Sequence, residues 1–467
     1  MEREVTLQEL LTAREQRAQR QRIWLKTYGQ TLVVFTMNIA GPIKRTELIE
    51  EGFSMGSRLL RQRLGDRLLH WEEYWQDTGC EGFYAAALPA EKVKAITVEL
   101  EETHPAGRLW DMDVLTLEGK KLERENPRAC LICGTPGAAC ARSRAHSVEE
   151  LTKKTEEILK EAIVQDRQER AAALATRALL YEVCITPKPG LVDRDGSGSH
   201  RDMDLYRFLD SVSVLTPYFS QCVGLGWETR EKPPGRTLDA LRKPGQWAEA
   251  KMLSATGGVN THKGAIFTMG ILCGALGRLP EARWGSPELV LQEAAEMTKG
   301  LTQRELSGLS EETAVTAGQK LYLQYGITGV RGQLEAGLPT VLQYGLPTLE
   351  DALQAGHSWD EAGAAALMAL IAHTPDTNLM KRGGMEAQKA AAEEAADLLR
   401  REPVPGRKPL QELDQSYKEK NLSPGGCADL LAVCLFLHFL REESKKRSEE
   451  RFRNVFRTEK SNGDSGS

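Results

Sequence analysis

The sequence has no long hydrophobic run. A membrane-spanning helix needs about 20 predominantly apolar residues, whereas the best candidate, Leu430 to Leu440, is shorter and contains His438. The first 25 residues are rich in Arg, Gln and Glu and lack the apolar core of a secretory signal. The sequence therefore predicts neither a membrane protein nor a secreted one.

A strong charge of either sign and a disulfide framework are also missing. The 61 Lys and Arg against 66 Asp and Glu give a net charge of −5, which argues against a nucleic-acid-binding protein. The nine cysteines are odd in number and unevenly spread, so a reducing, cytoplasmic location is expected. With 41% hydrophobic residues in a chain of 467, the composition is that of a globular protein of roughly two to four domains.

The pattern of apolar segments changes along the chain. Up to about residue 145, apolar runs such as Thr31–Ala40 and Leu109–Leu117 are typical of strands and alternate with segments that favour helix, such as Ser57–Leu69. Ser147 and Glu150 then form a capping-box pattern that opens a long helical run. After it, nearly every segment favours helix. We predict a mixed α/β N-terminal domain over 1–163, a larger all-α domain over 164–443 and a disordered polar tail over 444–467.

Two aspartates mark the last predicted strand of the first domain. Asp111 and Asp113 are two residues apart, so in a strand they face the same way. Adjacent carboxylates repel unless a cation lies between them, and Mg²⁺ binds carboxylates together with substrate phosphates. We predict a metal–phosphate site here. The alternative is an ordinary acidic surface pair.

A compact group of cysteines follows these aspartates. Three Cys and one His supply enough ligands for a tetrahedral Zn²⁺ site; they are Cys130, Cys133, Cys140 and His146. The same segment carries three arginines suited to phosphate binding, namely Arg128, Arg142 and Arg144. Both interpretations stay open, and we favour contact between these arginines and phosphate.

Three strings of the first domain resemble a known family. They are Met37–Pro42 (MNIAGP), GRLWDMDV and RACLICGTPGAACARSRAHS. They are similar to the apo-citrate lyase phosphoribosyl-dephospho-CoA transferases, also called holo-citrate-lyase synthases, over about residues 7–160. The resemblance implies a nucleotidyltransferase that moves the phosphoribosyl-dephospho-CoA group onto a serine of the lyase acyl carrier (γ) subunit and releases pyrophosphate.

In the second domain, a Pro-Lys-Pro-Gly turn follows the long helix. Proline cannot continue a helix, so the turn brings Lys188 and Asp193, with Asp202 further on, towards the helix end at Glu182. Acids grouped with a lysine suit a metal–nucleotide site. The alternative is that these acids only cap loops.

The most distinctive segment of the chain is Thr256–Gly264 (TGGVNTHKG), which directly precedes an apolar helix. Backbone N–H groups at a helix N-terminus bind anions, and glycine allows close approach. We predict that Gly257, Gly258, Asn260 and Lys263 form a phosphate cradle. The segment is not a Walker P-loop, because His262 replaces its second glycine and Gly264 follows the lysine. A Gly-rich loop that only turns is the alternative.

Two later loops also place an aspartate near glycines and a helix end. The first holds Asp376 and leads to Arg382, and the second holds Asp429 after Gly425-Gly426-Cys427. Capping is an equally available role for Asp429.

Five strings of the second domain resemble triphosphoribosyl-dephospho-CoA synthases over about residues 167–440. They are PKPGLVD, GSHRDM, TGGVNTHKGAIF, DTNLMKRGG and PGGCADLLA. At Cys427 the family pattern leads us to expect serine. The resemblance implies that the 2′-hydroxyl of 3′-dephospho-CoA attacks the ribose C1′ of ATP, with adenine leaving and the triphosphate retained.

This chemistry suggests a role for each candidate residue. Glu182 or Asp193 would be the carboxylate near the sugar, and His262 a proton donor or adenine contact. Basic residues would bind the phosphates, and two acids would hold Mg²⁺. The basic residues are Lys188, Lys263 and Arg382, and the acids are Asp202 and Asp376.

The two halves suit one pathway, in which the second makes the activated prosthetic group and the first attaches it. We therefore predict a bifunctional citrate lyase maturation enzyme that uses ATP, 3′-dephospho-CoA and Mg²⁺. Three alternatives stay open: the same chemistry for malonate decarboxylase, a first half that is a non-catalytic zinc-binding carrier adaptor, and a nucleosidase that releases adenine to water.

Overall fold

The computed structural model describes residues 3–461 and contains two compact units. One unit is Met1–Asp166 with Glu450–Ser467, and the other is Arg167–Glu449. The division between Asp166 and Arg167 falls inside the long helix Val148–Cys184, close to the predicted junction at 163. The exact domain limits stay a prediction.

The N-terminal unit is a four-stranded antiparallel sheet with helices. The strands are β1 (Thr31–Met37), β2 (Leu68–Gln76), β3 (Gly79–Ala86) and β4 (Trp110–Leu115), in the order β2-β3-β1-β4. The helices are α1 (Leu7–Tyr28), α2 (Glu47–Leu64), α3 (Ala90–Thr103), α4 (Gly137–Ser143) and the first part of α5 (Val148–Cys184). The predicted mixed α/β class is confirmed.

The strand register brings polar residues into one row across this sheet. Thr36 on β1 lies opposite Glu81 on β3 and opposite Asp111 on β4. Val34 and Phe83 lie two residues from Thr36 and Glu81, respectively, and therefore on the same face of the sheet. They pack with Trp24 of α1 in a small core cluster. The polar row therefore lies on the α1 face of the sheet, next to its apolar core.

The second unit is entirely helical over its described residues. Its helices after α5 are α6 (Leu205–Ser213), α7 (Thr216–Thr229), α8 (Gly235–Ala255), α9 (Lys263–Arg278), α10 (Pro287–Thr298), α11 (Leu301–Leu306), α12 (Ala317–Tyr325), α13 (Gly329–Glu335), α14 (Leu346–Gln354), α15 (Trp359–His373), α16 (Thr377–Arg401), α17 (Arg407–Glu419) and α18 (Gly425–Ser461). Helices α9 and α15 are buried over most of their length, and so is the segment Leu430–Leu440 of α18 except for His438. No helix in residues 3–461 is both long and apolar enough to cross a membrane.

Two sequence-based expectations differ from the structure. A helix predicted over Ser57–Leu69 ends at Leu64, and β2 follows, because residues 68–76 pair with β3 through a tight turn. Helix α18 continues to Ser461, past the start of the predicted tail at 444. No glycine or proline interrupts residues 427–461, and the charged residues there favour helix. Residues 462–467 lie outside the described part of the chain.

Candidate active sites

Glu182 and Lys188 form a buried ion pair at the C-terminal end of α5. Lys188 is 1% exposed and Glu182 5%. The Lys188 ammonium donates to the Glu182 carboxylate and, at 2.6 Å, to the Glu182 carbonyl oxygen. Burial raises the pKa of Glu182, and the lysine opposes that rise. An unpaired charge here would cost several kcal/mol, so the two residues depend on each other.

The carboxylate of Asp193, which was predicted to lie near the sugar, accepts hydrogen bonds from the backbone of its own loop. Its two oxygens accept hydrogen bonds from the backbone N–H groups of Lys188 (2.9 Å), Asp195 (2.8 Å) and Gly196 (3.2 Å). These contacts hold the Pro-Lys-Pro-Gly turn against the following residues. Asp193 is therefore placed to position Lys188 and has little accepting capacity left for a substrate.

Asp429 of α18 lies at the N-terminus of α9. Its carboxylate accepts a hydrogen bond from the backbone N–H of Ala265. A Cβ atom at Gly264 would come closer than 3.0 Å to Asp429 Oδ2, so this approach requires glycine. Burial, followed by the nearby charge of Glu182, raises the pKa of Asp429 well above its usual value. Asp429 is half-buried, and it lies near the buried residues Glu182, Lys188 and His262, in a place where the sequence predicted substrate phosphate.

His262 is the buried base of the same region. Its Nδ1 lies 2.7 Å from Ser211 Oγ, and its ring meets the Phe208 ring edge to face. Among the described residues, Nε2 is buried and has no hydrogen-bond partner. Burial, followed by the charge of Lys188, lowers the pKa of His262 to about 3. His262 is therefore neutral at physiological pH. It can offer Nε2 as a hydrogen-bonding contact, and its role as a proton donor stays a prediction.

The glycine-rich loop before α9 is more open than predicted. Gly257 and Gly258 adopt left-handed backbone angles, with φ of 66° and 89°, and both are exposed. The Asn260 side chain accepts from the Lys263 backbone N–H at 3.1 Å, which caps the helix. The Lys263 ammonium pairs with Glu249 of α8 and its side chain is 59% exposed. Lys263 therefore points away from the buried cluster.

Arg382 contacts two loops through both main-chain and side-chain atoms. It donates to the carbonyl oxygen of Ser199 at 3.0 Å and to the Asn421 side chain at 2.9 Å, and it lies 3.1 Å from His200 Nδ1. His200 Nε2 is in turn 2.9 Å from Ser423 Oγ. The predicted phosphate ligand is thus engaged in holding loop structure.

Asp376 acts as the N-cap of α16. One oxygen accepts from the backbone N–H groups of Asn378 (2.7 Å) and Leu379 (3.1 Å), and the other from Cys427 (2.8 Å). These bonds occupy a fully buried carboxylate, so its contacts give no support for a metal-ligand role. By contrast, Asp202 is exposed, and no hydrogen bond or ion pair to its carboxylate is found within residues 3–461.

The N-terminal unit has a polar cavity of about 230 Å³ beside the polar row of the sheet. Its lining includes Asn38, Asp111 and three basic side chains, which are Arg14, Arg17 and Lys44. Burial, together with Arg14, lowers the pKa of Lys44. A small cavity with several cations and one carboxylate suits a polyphosphate group.

Glu81 anchors one wall of this cavity. Its carboxylate is 2% exposed and pairs with Arg17 at 2.7 Å and Arg20 at 2.8 Å. Because two cations surround one buried acid, the local charge is positive. Arg17 is held in place at the cavity edge as a result.

Asp111 and Asp113 lie on one face of β4, as predicted, but each has its own cation. Arg128 is 3.3 Å from Asp111, and Lys121 is 2.7 Å from Asp113. Arg128 also donates to the buried Glu101 at 2.6 Å. The two carboxylates could hold a divalent metal only if these cations moved aside.

The cysteine group is assembled as the sequence suggested. The ligand atoms of Cys130, Cys133, Cys140 and His146 lie within 4.8 Å of one another. Arg142 and Arg144 are exposed and do not line the cavity. Of the three predicted arginines, Arg128 lies beside Asp111 of the sheet and Glu101 of α3.

Comparisons with known proteins agree with this division of the chain. Residues 168–448 match the family model of ATP:dephospho-CoA triphosphoribosyl transferase, and residues 5–162 match that of apo-citrate lyase phosphoribosyl-dephospho-CoA transferase. "Protein CitXG" of Haemophilus influenzae is 35% identical over 92% of this chain and 96% of its own length, and that of Leuconostoc mesenteroides is 31% identical over 93% and 97%. The chain belongs to the CitXG family.

A separate synthase matches only the second half. The 2-(5''-triphosphoribosyl)-3'-dephosphocoenzyme-A synthase of Pectobacterium atrosepticum is 40% identical over 59% of this chain and 93% of its own length. This CitXG family member is therefore a transferase of citrate lyase prosthetic-group synthesis, with two enzyme families joined in one chain.

Sequence reasoning missed several residues of both sites. In the N-terminal unit it overlooked Arg14, Arg17 and Lys44, which lie in a helix and a loop without any marked motif. Ser211, which contacts His262, also lacks a local signal. Asp429 was noted in the sequence without an assigned catalytic role, although an acid in an otherwise apolar helical segment is a placement that proteins rarely allow without a partner.

Proposed function

We propose that the C-terminal unit makes 2′-(5″-triphosphoribosyl)-3′-dephospho-CoA from ATP and 3′-dephospho-CoA. The 2′-oxygen of 3′-dephospho-CoA bonds to C1′ of ATP while the bond from C1′ to adenine breaks. The hydroxyl proton must be accepted and the departing adenine must gain one. The observation that carries the proposal is the cluster of three buried residues, Glu182, Lys188 and His262, with the half-buried Asp429, inside the region that matches the synthase family.

The cluster offers groups for both proton transfers. Glu182 is the candidate acceptor of the hydroxyl proton, since Lys188 favours the charged form of its carboxylate. Asp429 is the candidate donor to adenine, because burial raises the pKa of its carboxyl group well above the usual value and so favours the protonated form. The open Nε2 of His262 would contact the nucleotide as a neutral group. Asp202 is the candidate carboxylate for a Mg²⁺ ion that neutralises ATP phosphates when bound.

The N-terminal unit would then attach the group to citrate lyase. A serine oxygen of the apo acyl carrier subunit bonds to the α-phosphorus of the triphosphoribosyl product, and pyrophosphate leaves. Arg14, Arg17 and Lys44 would bind the polyphosphate, and Asp111 would orient these cations or a metal ion.

Substitution of Asp429 tests this assignment. Asp429→Asn should lower adenine release at least 100-fold, because the amide cannot donate a proton as the acid does. Pyrophosphate release from supplied triphosphoribosyl-dephospho-CoA and apo carrier subunit should stay within twofold, which also reports a folded chain. Asp397→Asn, at an exposed residue of α16, is the matched control. Adenine release above half of the wild-type rate in Asp429→Asn would contradict the role of Asp429.

A further inference from the structure

The segment between β4 and α5 has very little core of its own. Between Leu115 and Thr155 none of the residues with a described side chain is buried. Nevertheless, the segment makes specific backbone contacts, including Cys130 N–H to the Thr135 carbonyl at 2.6 Å and Gly137 N–H to the Arg128 carbonyl at 2.9 Å. Small structures without a hydrophobic core usually need a disulfide or a metal ion.

Four ligand atoms meet in this segment at a spacing that suits one ion. The sulfur atoms of Cys130, Cys133 and Cys140 and a ring nitrogen of His146 lie within 4.8 Å of one another, and Cys133 Sγ is 3.4 Å from Cys140 Sγ. Ligands that are ~2.3 Å from a common tetrahedral Zn²⁺ are roughly 3.8 Å apart. The distance of 3.4 Å between the two sulfur atoms is slightly below that value, and the upper limit of 4.8 Å for the group is above it.

The backbone around the first two cysteines is arranged to receive thiolates. The N–H groups of Ile132 and Cys133 donate to Cys130 Sγ, and the N–H of Thr135 donates to Cys133 Sγ. Gly134, at φ 73°, turns the chain directly after Cys133. Charge-assisted hydrogen bonds of this kind orient the ligands of a metal site.

The histidine supplies an independent indication. His146 lies against Cys133 Sγ, yet within the described part of the chain its buried Nε2 has no partner that satisfies hydrogen-bond geometry. A buried nitrogen lone pair without a donor is costly in a protein. Coordination to a metal would satisfy it.

We propose that Cys130, Cys133, Cys140 and His146 bind one structural Zn²⁺ ion. With four protein ligands the coordination is closed, so the ion has no open position for substrate. The ion would hold the segment that carries Arg128, which lies two residues before the first ligand. Arg128 in turn contacts both Glu101 and Asp111. This inference is independent of the proposed reactions, because it concerns metal content.

Elemental analysis of the full chain, purified without chelator, tests the proposal. We expect about one zinc per chain, and blocking of thiols with a mercurial should release it. Cys133→Ser and Cys140→Ser should each lose most of the zinc, while Cys184→Ser, at another incompletely buried cysteine, should retain it. Because none of the four ligand residues is buried, these substitutions open no core cavity, and unchanged adenine release shows that the C-terminal unit of the variants is folded.

Protease cleavage provides the structural readout. Removal of the ion should expose bonds within residues 116–147 to proteolysis and lower the transferase rate several-fold, while adenine release stays unchanged. Three results would each overturn the proposal: wild-type protein active in transfer with less than about 0.1 zinc per chain, a Cys133–Cys140 disulfide detected by mass in place of metal, or iron as the stoichiometric ion.

Discussion

Replacing Gly264 with alanine is a direct probe of how the buried cluster is built. Gly264 lies in the first turn of α9, where alanine by itself would favour the helix by about 1 kcal/mol. In this structure the new Cβ would clash with Asp429 Oδ2, roughly 1.5 Å inside van der Waals contact. Asp429 would have to move away from the Ala265 N–H. Overpacking of this kind costs about 1–3 kcal/mol, and a ~1 Å misplacement of a catalytic group can cost ~10²-fold in rate.

We therefore expect Gly264→Ala to lower adenine release about 100-fold. The overpacking cost less the gain in helix propensity should lower the free energy of unfolding by up to about 2 kcal/mol, measured by urea denaturation. Gly245→Ala is the matched control, since its Cβ would meet only Tyr218 Oη at an ordinary 3.5 Å. In an Asp429→Ala background the stability cost of Gly264→Ala should largely vanish, because the clashing oxygen is gone. Synthase activity within twofold of wild type in Gly264→Ala would refute the placement of Asp429.

Three further predictions concern charge. Lys188→Met should lower the free energy of unfolding by about 3–5 kcal/mol in urea titrations, because it leaves the buried Glu182 without its partner; an unchanged midpoint would contradict the ion pair. His262 has a folded pKa of about 3 against ~6.5 unfolded, so its contribution to stability is present above pH 6.5 and is lost as the pH falls towards 3. This loss should lower the free energy of unfolding by about 2 kcal/mol between pH 8 and pH 5. His262→Asn should therefore show a weaker pH dependence of stability than wild type, and an equal dependence in both proteins would rule this contribution out. Asp111→Asn should slow pyrophosphate release at least tenfold and leave adenine release unchanged, whereas the exposed control Glu123→Gln should affect neither; equal loss of both reactions in Asp111→Asn would count against separate sites.

Local patterns in the sequence predicted much of the fold. The Ser147 and Glu150 capping box marked the start of α5, and both of its hydrogen bonds are present, at 3.1 and 2.8 Å. The spacing of Asp111 and Asp113 placed them on one face of a strand. Such features depend on residues within a few positions of each other, which is the range over which periodicity and capping operate.

The arrangement of the candidate site was harder to predict, because it depends on partners that are distant in sequence. Asp429 reaches the N-terminus of α9, 165 residues earlier in the chain, where the motif alone indicated phosphate. Lys263 has phosphate-binding chemistry, but Glu249 of the preceding helix takes its ammonium. In both cases tertiary packing determines which charged groups come into contact, and local sequence patterns do not predict these partners.

The central claim is that nucleotide turnover breaks the bond between ribose and adenine and keeps the triphosphate whole. The direct measurement is mass analysis of all products after the chain is incubated with ATP, Mg²⁺ and 3′-dephospho-CoA. The account predicts free adenine and an equal amount of 3′-dephospho-CoA enlarged by a triphosphoribosyl group. Formation of ADP or AMP, or of adenine together with free ribose triphosphate, would contradict it.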